Sequence, residues 1–105
     1  MPRPKVIDTP HELFNRQREA ILMRAVRSAL GLSQRNLAAL VGVHFTTIAN
    51  LEAAHSRVKP ATLEAIRRVY RNAGVVFMIG TDGAIRIEIG QQVIEELAKN
   101  PNVSL

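Results

Sequence analysis

One segment limits the fold more than any other: Leu32 to Glu52, LSQRNLAALVGVHFTTIANLE, whose small and apolar residues fall at fixed offsets around Gly42. Ser33 is a good helix N-cap, and Leu37, Ala38 and Val41 form the inner side of a short helix beginning at Gln34. Gly42 supplies the left-handed residue on which helices commonly end, and Val43 follows as an apolar plug. A second helical pattern starts near Phe45, turns Ile48 and Leu51 inward, and fades around Ala54. Two short helices joined through a glycine can cross at roughly 90–120°, but their backbones approach closely only past a small side chain. Ala38, ahead of Gly42 by one helical turn, meets that requirement. The segment therefore predicts a helix-turn-helix: a first helix from Gln34 to Val41, the Gly42 turn, and an exposed second helix from about Phe45.

The flanks complete a helical layer. Thr9 can cap, Pro10 suits the first helical position, and Glu12 follows the cap at capping-box spacing. That helix, or a pair with a break near Gln17, continues to Leu30 and ends at Gly31. Phe14, Ile21, Leu22, Ala25, Val26, Ala29 and Leu30 recur mostly at three- and four-residue offsets and predict its buried face, with Arg16 and Arg24 outside. Beyond the loop HSRVK, Pro60 opens a helix striped by Leu63, Ile66, Val69 and Tyr70 and closed by Asn72-Ala73-Gly74.

From Val75 the hydrophobic period changes from about 3.6 to about 2. VVFMI and AIRIEI flank a turn in which Thr81-Asp82-Gly83 suits a three-residue hairpin loop with glycine in the left-handed position. In that register Val75, Phe77 and Ile79 oppose Ile89, Ile87 and Ile85 on one apolar side. Val76 and Met78 take the other side, opposite Glu88 and Arg86. A lone hairpin with this much apolar surface needs a partner. Val76, Phe77, Met78, Ile79, Ile85, Ile87 and Ile89 are therefore the expected dimerisation residues. QQVIEELAKN reads as a last short helix, and Pro101 to Leu105 as a frayed end. The expected fold is mainly α: a helix-turn-helix domain over residues 1–74, then a β-hairpin and short helix over residues 75–105.

Charge points to the kind of partner. The chain carries a formal charge of +5, and twelve of its basic residues against five acidic ones lie within residues 1–74, leaving two against four beyond. A polyanion should therefore meet the first part. Arg3 and Lys5, in the proline-containing MPRPKVID, either reach a phosphate backbone or belong to a frayed arm. Zero cysteines exclude disulfides and thiolate metal sites. His44 and His55 have no Cys or carboxylate at metal-ligand spacing, so neither a metal nor a cofactor is expected. There is no P-loop, no dinucleotide fingerprint and no nucleophile with a base at recognisable spacing, which argues against an enzyme. No apolar run has the length needed to cross a bilayer and the start lacks the apolar core of a signal peptide, so no membrane association and a cytoplasmic location are expected.

Over about Arg24 to Gly74, LSQRNLAALVGVHFTTIANLE followed by ATLEAIRRVY resembles the Xre/Cro/phage-repressor (lambda repressor-like) class of helix-turn-helix DNA-binding proteins. The pattern of that class is roughly L-S-Q-x-x-L-A-x-x-x-G-V-S-x-x-T-I-x-x-[IL]-E, then a helix carrying T-L-x-x-I. NAGVVFMI and a second strand resemble small bacterial members that end in a β-element. Two positions depart: His44 stands where a Ser or Thr cap is usual, and Ala53-Ala54-His55 replaces the usual glycine after the acidic residue.

The resemblance implies a second helix that enters the major groove by its N-terminal end. Phe45, Thr46 and Asn50 are then the first candidates for base reading, with His44, Thr47 and Ala49 beside them. Asn50 suits adenine, Thr46 either base type, and Phe45 a thymine methyl, unless the ring folds back onto apolar surface. Thr47 can equally cap or pack. Gln34, Arg35, Arg57 and Lys59 are candidate phosphate contacts. Arg67, Arg68 and Arg71 read as a solvated helix face rather than a second DNA contact, and His11 as a solvated first-turn residue. The resemblance also implies a structural ion pair between Arg27 and Glu52. The expected function is a sequence-specific transcriptional regulator, a repressor binding double-stranded DNA as a homodimer on a two-fold operator. The alternative is an antitoxin with the same DNA-binding half and a toxin-binding tail.

Overall fold

The computed structural model describes residues 10–55 and 57–99, with side chains from Phe14 onward. The expectations for Arg3, Lys5, Thr9, the His11 side chain and Pro101 to Leu105 lie outside the described residues. Among the described residues, five helices and one hairpin follow in order: α1 Pro10–Ala29, α2 Gln34–Val41, α3 Phe45–Glu52, α4 Pro60–Asn72, β1 Val75–Ile79, β2 Ile85–Ile89 and α5 Gln91–Lys99.

Helix α1 is continuous through Gln17, without the possible break. Its buried face overlaps the one its periodicity suggests but is rotated from it. Leu22, Val26 and Leu30 are buried as expected, but Phe14 is 60% exposed, and Ile21, Ala25 and Ala29 are exposed as well. Met23 and Ala20 take their place inside. The reason lies in packing: α1 contacts both α3 and β2, and Tyr70 of α4 sends its hydroxyl to the Met23 carbonyl at 2.9 Å. Burial, with the Glu52 carboxylate second, pushes the Tyr70 phenol well above its ordinary range. It is therefore a neutral donor, tying α4 to α1.

The helix-turn-helix forms as its residues require. The Ser33 hydroxyl accepts from the Asn36 amide at 2.9 Å and starts α2. Leu37 and Ala38 are buried. Gly42, at φ 81°, lets its own amide and that of Val43 both donate to the Ala38 carbonyl. A left-handed residue is what this closure demands, and glycine adopts it without strain. Ile48 and Leu51 of α3 are buried against Leu22, Met23, Val26, Leu30 and Leu37 in one hydrophobic cluster with Ile66 and Tyr70 of α4.

That cluster runs on into the tail through Val75 and Val93, with Phe77, Ile85 and Ile89 packed against it. The strands pair antiparallel in the anticipated register: Val75 with Ile89, Val76 with Glu88, Phe77 with Ile87, Met78 with Arg86 and Ile79 with Ile85. Gly80 donates to the Ala84 carbonyl and Gly83, at φ 83°, to that of Gly80, which closes the three-residue loop. The Arg18 Nε donates to the Gly83 carbonyl at 3.0 Å and holds the hairpin tip to α1. Arg67 is less solvated than its sequence suggests, because it forms an ion pair with Glu19 of α1. Arg68 is exposed and Arg71 pairs with Glu64 on the surface of α4.

Candidate nucleic-acid interface

Helix α3 is anchored at its C-terminal end and open at its N-terminal end. The anchor is Glu52, 3% exposed. Arg27 meets it with two parallel bonds, Nε to Oε2 at 2.6 Å and Nη2 to Oε1 at 2.8 Å, and uses Nη1 for the Leu32 carbonyl at 2.9 Å. Bidentate guanidinium–carboxylate contacts combine strength with a fixed orientation. The pair also holds the Arg27 guanidinium protonated more firmly than usual. The ion pair implied by the family resemblance is thus present. Two further residues join it that the sequence did not place there. Arg24 donates through Nη1 to the Glu52 backbone carbonyl at 2.9 Å, and Gln34 through Nε2 to Glu52 Oε1 at 3.1 Å. Arg24 lies one helical turn before Arg27 on α1, the spacing that could have suggested a shared target.

The open end begins at His44. Its backbone is extended, at φ −71° and ψ 146°, and its ring caps the helix where a hydroxyl is usual. The Thr46 amide donates to His44 Nδ1 at 3.3 Å, and Thr46 Oγ1 lies 2.9 Å from the same nitrogen. Thr46 and Asn50 are exposed, while Thr47 and Ala49 are half-buried. Phe45 is also half-buried and packs against the core. The Arg35 guanidinium carbon stands 4.0 Å from its ring centroid, and the His44 ring lies 4.8 Å away. One face of Phe45 is therefore occupied by a cation–π contact, leaving less of the ring to meet a base than a free side chain would offer.

The candidate phosphate contacts gather around this tip. Arg35 is exposed on α2 beside Phe45, and exposed Arg57 and Lys59 share a shallow groove with Thr47 and Asn50, walled by Val43, Val58 and Thr62. Gln34 is brought to the anchor instead, with one amide hydrogen engaged by Glu52. The seven hairpin residues do not share one face: Phe77, Ile85 and Ile89 pack toward the core, whereas Val76, Met78, Ile79 and Ile87 are exposed.

Among the described residues, no helix is long and apolar enough to cross a membrane. No curated protein matches the chain. A helix-turn-helix family model matches residues 23–72, which span the end of α1 through α4 and so contain the anchor, the Gly42 turn and the open tip. Over residues 23–72 the chain is thus similar to helix-turn-helix domains of the Xre/lambda repressor-like class, which are DNA-binding transcription regulators.

Proposed function

We propose that this chain is a sequence-specific transcriptional repressor that reads a two-fold operator as a homodimer. The observation that carries the reading is the pairing of exposed, uncharged Thr46 and Asn50 at the tip of α3 with Arg35, Arg57 and Lys59 around it. Cations at the rim grip phosphates without regard to sequence, while neutral hydrogen-bonding side chains at the tip discriminate bases. Asn50 pairs with adenine through both amide atoms, Thr46 meets a neighbouring base, and Phe45 offers its remaining edge to a thymine methyl. His44 and Thr47 frame the tip. Gln34 approaches a phosphate with the amide hydrogen that Glu52 does not use.

One short helix reads few base pairs, so a second copy supplies the missing specificity, with half-sites about 34–36 Å apart or a multiple of that. The outer hairpin side supports this arrangement, since Val76 and Met78 are 53% and 54% exposed and lie opposite Glu88 and Arg86. The tail comprising residues 75–105 is then the dimerisation element and residues 1–74 the DNA-binding part.

Selection of bound duplexes from a random pool tests the reading. Asn50→Ala should change the selected sequence but leave the salt slope of binding intact. Lys59→Ala should keep the sequence and reduce the slope by about one unit of log affinity per log salt. If both variants select the wild-type sequence with the wild-type slope, the assignment of tip and rim is wrong. A stoichiometric protein partner lost on deleting residues 75–105, with the purified chain monomeric, would favour an antitoxin.

A further inference from the structure

The bond pattern at the α3 N-terminus determines more than the start of a helix. His44 Nδ1 accepts the Thr46 backbone N–H at 3.3 Å. A ring nitrogen that accepts from an amide carries no hydrogen, so the neutral ring holds its proton on Nε2. The same Nδ1 stands 2.9 Å from Thr46 Oγ1. In the tautomer that the amide bond requires, the hydrogen of that second contact is assigned to the threonine hydroxyl, which shares the single Nδ1 lone pair with the amide. Thr46 has only one such hydrogen, and what Oγ1 has left to show to solvent is lone pairs.

We propose that His44 is a positioning residue that fixes the hydrogen-bond polarity of Thr46, so that Thr46 reads its base as an acceptor and selects adenine or cytosine. This rests on the reading of Thr46 as a base contact and specifies what that contact chooses. In the major groove adenine N6 and cytosine N4 are amino donors, whereas guanine presents N7 and O6 and thymine O4, all acceptors. An acceptor-only hydroxyl gains from the first pair and meets the second with lone pairs opposed. A serine or threonine at the cap would not impose this polarity, because its own hydroxyl rotates and can donate as well as accept. The choice is thus a consequence of the imidazole at residue 44.

The charged groups around the pair leave the bond pattern in place. Arg35 of α2 lies over Phe45 rather than over Thr46. Arg57 and Lys59 line the groove beside Thr47 and Asn50. Arg24, Arg27 and Glu52 engage one another at the far end of α3.

Duplex selection with the full chain at pH 7.5 tests the proposal with four proteins: wild type, Thr46→Val, His44→Ser and His44→Asn. Thr46→Val keeps the side-chain shape and removes the hydroxyl, so it locates the base pair that Thr46 reads. At that position wild type should prefer adenine or cytosine by at least about fivefold over guanine and thymine. His44→Ser keeps a cap but frees the Thr46 hydrogen, and the preference should fall to about one- to twofold. His44→Asn places an acceptor oxygen where Nδ1 was and should restore the preference.

If Thr46→Val alters one position but wild type prefers guanine or thymine there, base reading stands and the polarity is wrong. If Thr46→Val alters no position, the base reading itself falls, and this proposal with it. If His44→Ser retains the full wild-type preference, His44 is not what fixes the hydroxyl.

Discussion

Replacing Ala54 with glycine should stabilise this protein, and replacing Gly42 with alanine should do the reverse by a similar amount. Both residues stand just past a helix end in left-handed backbone, at φ 57° for Ala54 and 81° for Gly42. The closures match. After α3 the Ala54 amide donates to Leu51 and the His55 amide to Asn50, each at 3.0 Å. After α2 the Gly42 and Val43 amides donate to Ala38 at 2.8 and 3.0 Å. Helices α1 and α4 are likewise followed by left-handed glycines, Gly31 and Gly74. Ala54 is thus the one non-glycine residue at positive φ among the described residues.

For an L-residue this conformation costs about 1–2 kcal/mol. A glycine there regains that amount but loses about 0.4–1 kcal/mol through the greater freedom of the unfolded chain. It also forfeits part of the burial of the half-buried Ala54 methyl, a fraction of about 0.8 kcal/mol. The net gain for Ala54→Gly is about 0.5 kcal/mol, or a rise in Tm of about 2–4 °C. A Cβ at Gly42 would meet nothing within 4 Å, so Gly42→Ala carries the backbone strain alone and loses about 0.5–1 kcal/mol. Urea denaturation and calorimetry of the two variants beside wild type measure both signs. A lower midpoint for Ala54→Gly, or an unchanged one for Gly42→Ala, would refute the claim that backbone conformation dominates at these helix ends.

Glu52→Gln leaves Arg27 without its carboxylate; because Arg27 is 17% exposed, the expected loss is near the low end of about 3–5 kcal/mol, read as a fall in denaturation midpoint. Glu19 is governed first by burial, which raises its carboxyl above the usual range against the opposing pull of Arg67. The folded chain therefore holds that proton more tightly than the unfolded chain does, and the stability it contributes is full in acid and lost as pH rises through the folded-state value. The stability of wild type minus that of Glu19→Gln should accordingly decline as pH rises above the ordinary carboxylate range; a rising difference would contradict the burial argument. Val76→Lys combined with Met78→Lys places two charges on the outer hairpin side. Light scattering should then give the protomer mass of 11.6 kDa with Tm nearly unchanged, whereas a persisting dimer would remove the hairpin from the interface.

The helix-turn-helix and the strand register were legible because local rules and tertiary demands agree there. Ser33, Ala38, Gly42, Ile48 and Leu51 each have one role that a spacing can reveal, and alternation from Val75 to Ile89 admits one pairing that keeps the isoleucines together. Helix α1 was less legible because apolar residues cover two adjacent stripes. Ile21, Ala25 and Ala29 form one and Leu22, Met23, Val26 and Leu30 another, and only the arrival of α3, β2 and Tyr70 of α4 decides which is buried. Phe45 illustrates a different limit. An aromatic residue at a helix tip suits a thymine methyl or a neighbouring cation, and Arg35 stands far enough off in sequence that nothing local decides between them. The place of Gln34 was hidden for the same reason, since its partner Glu52 comes from another helix.

The chemistry of α3 makes sense of its asymmetry. A carboxylate at the C-terminal end of a helix opposes the macrodipole, whose negative pole is there. Glu52 is therefore an unfavourable choice for α3 taken alone, and it is buried besides. Arg27 at its oxygens and Arg24 at its carbonyl reverse the balance, because two cations outweigh one anion at the negative pole and satisfy its orphan acceptor. Both arginines come from α1, so the compensation also fixes the angle at which α3 leaves the core. The positive pole at the other end faces outward, and His44 caps it through a ring nitrogen rather than with an acidic residue. A carboxylate cap would serve the helix equally well, but it would repel the phosphates that flank any groove. On the proposed reading, the same end of α3 thus retains its attraction for phosphates while the uncharged Thr46 and Asn50 are turned to the bases.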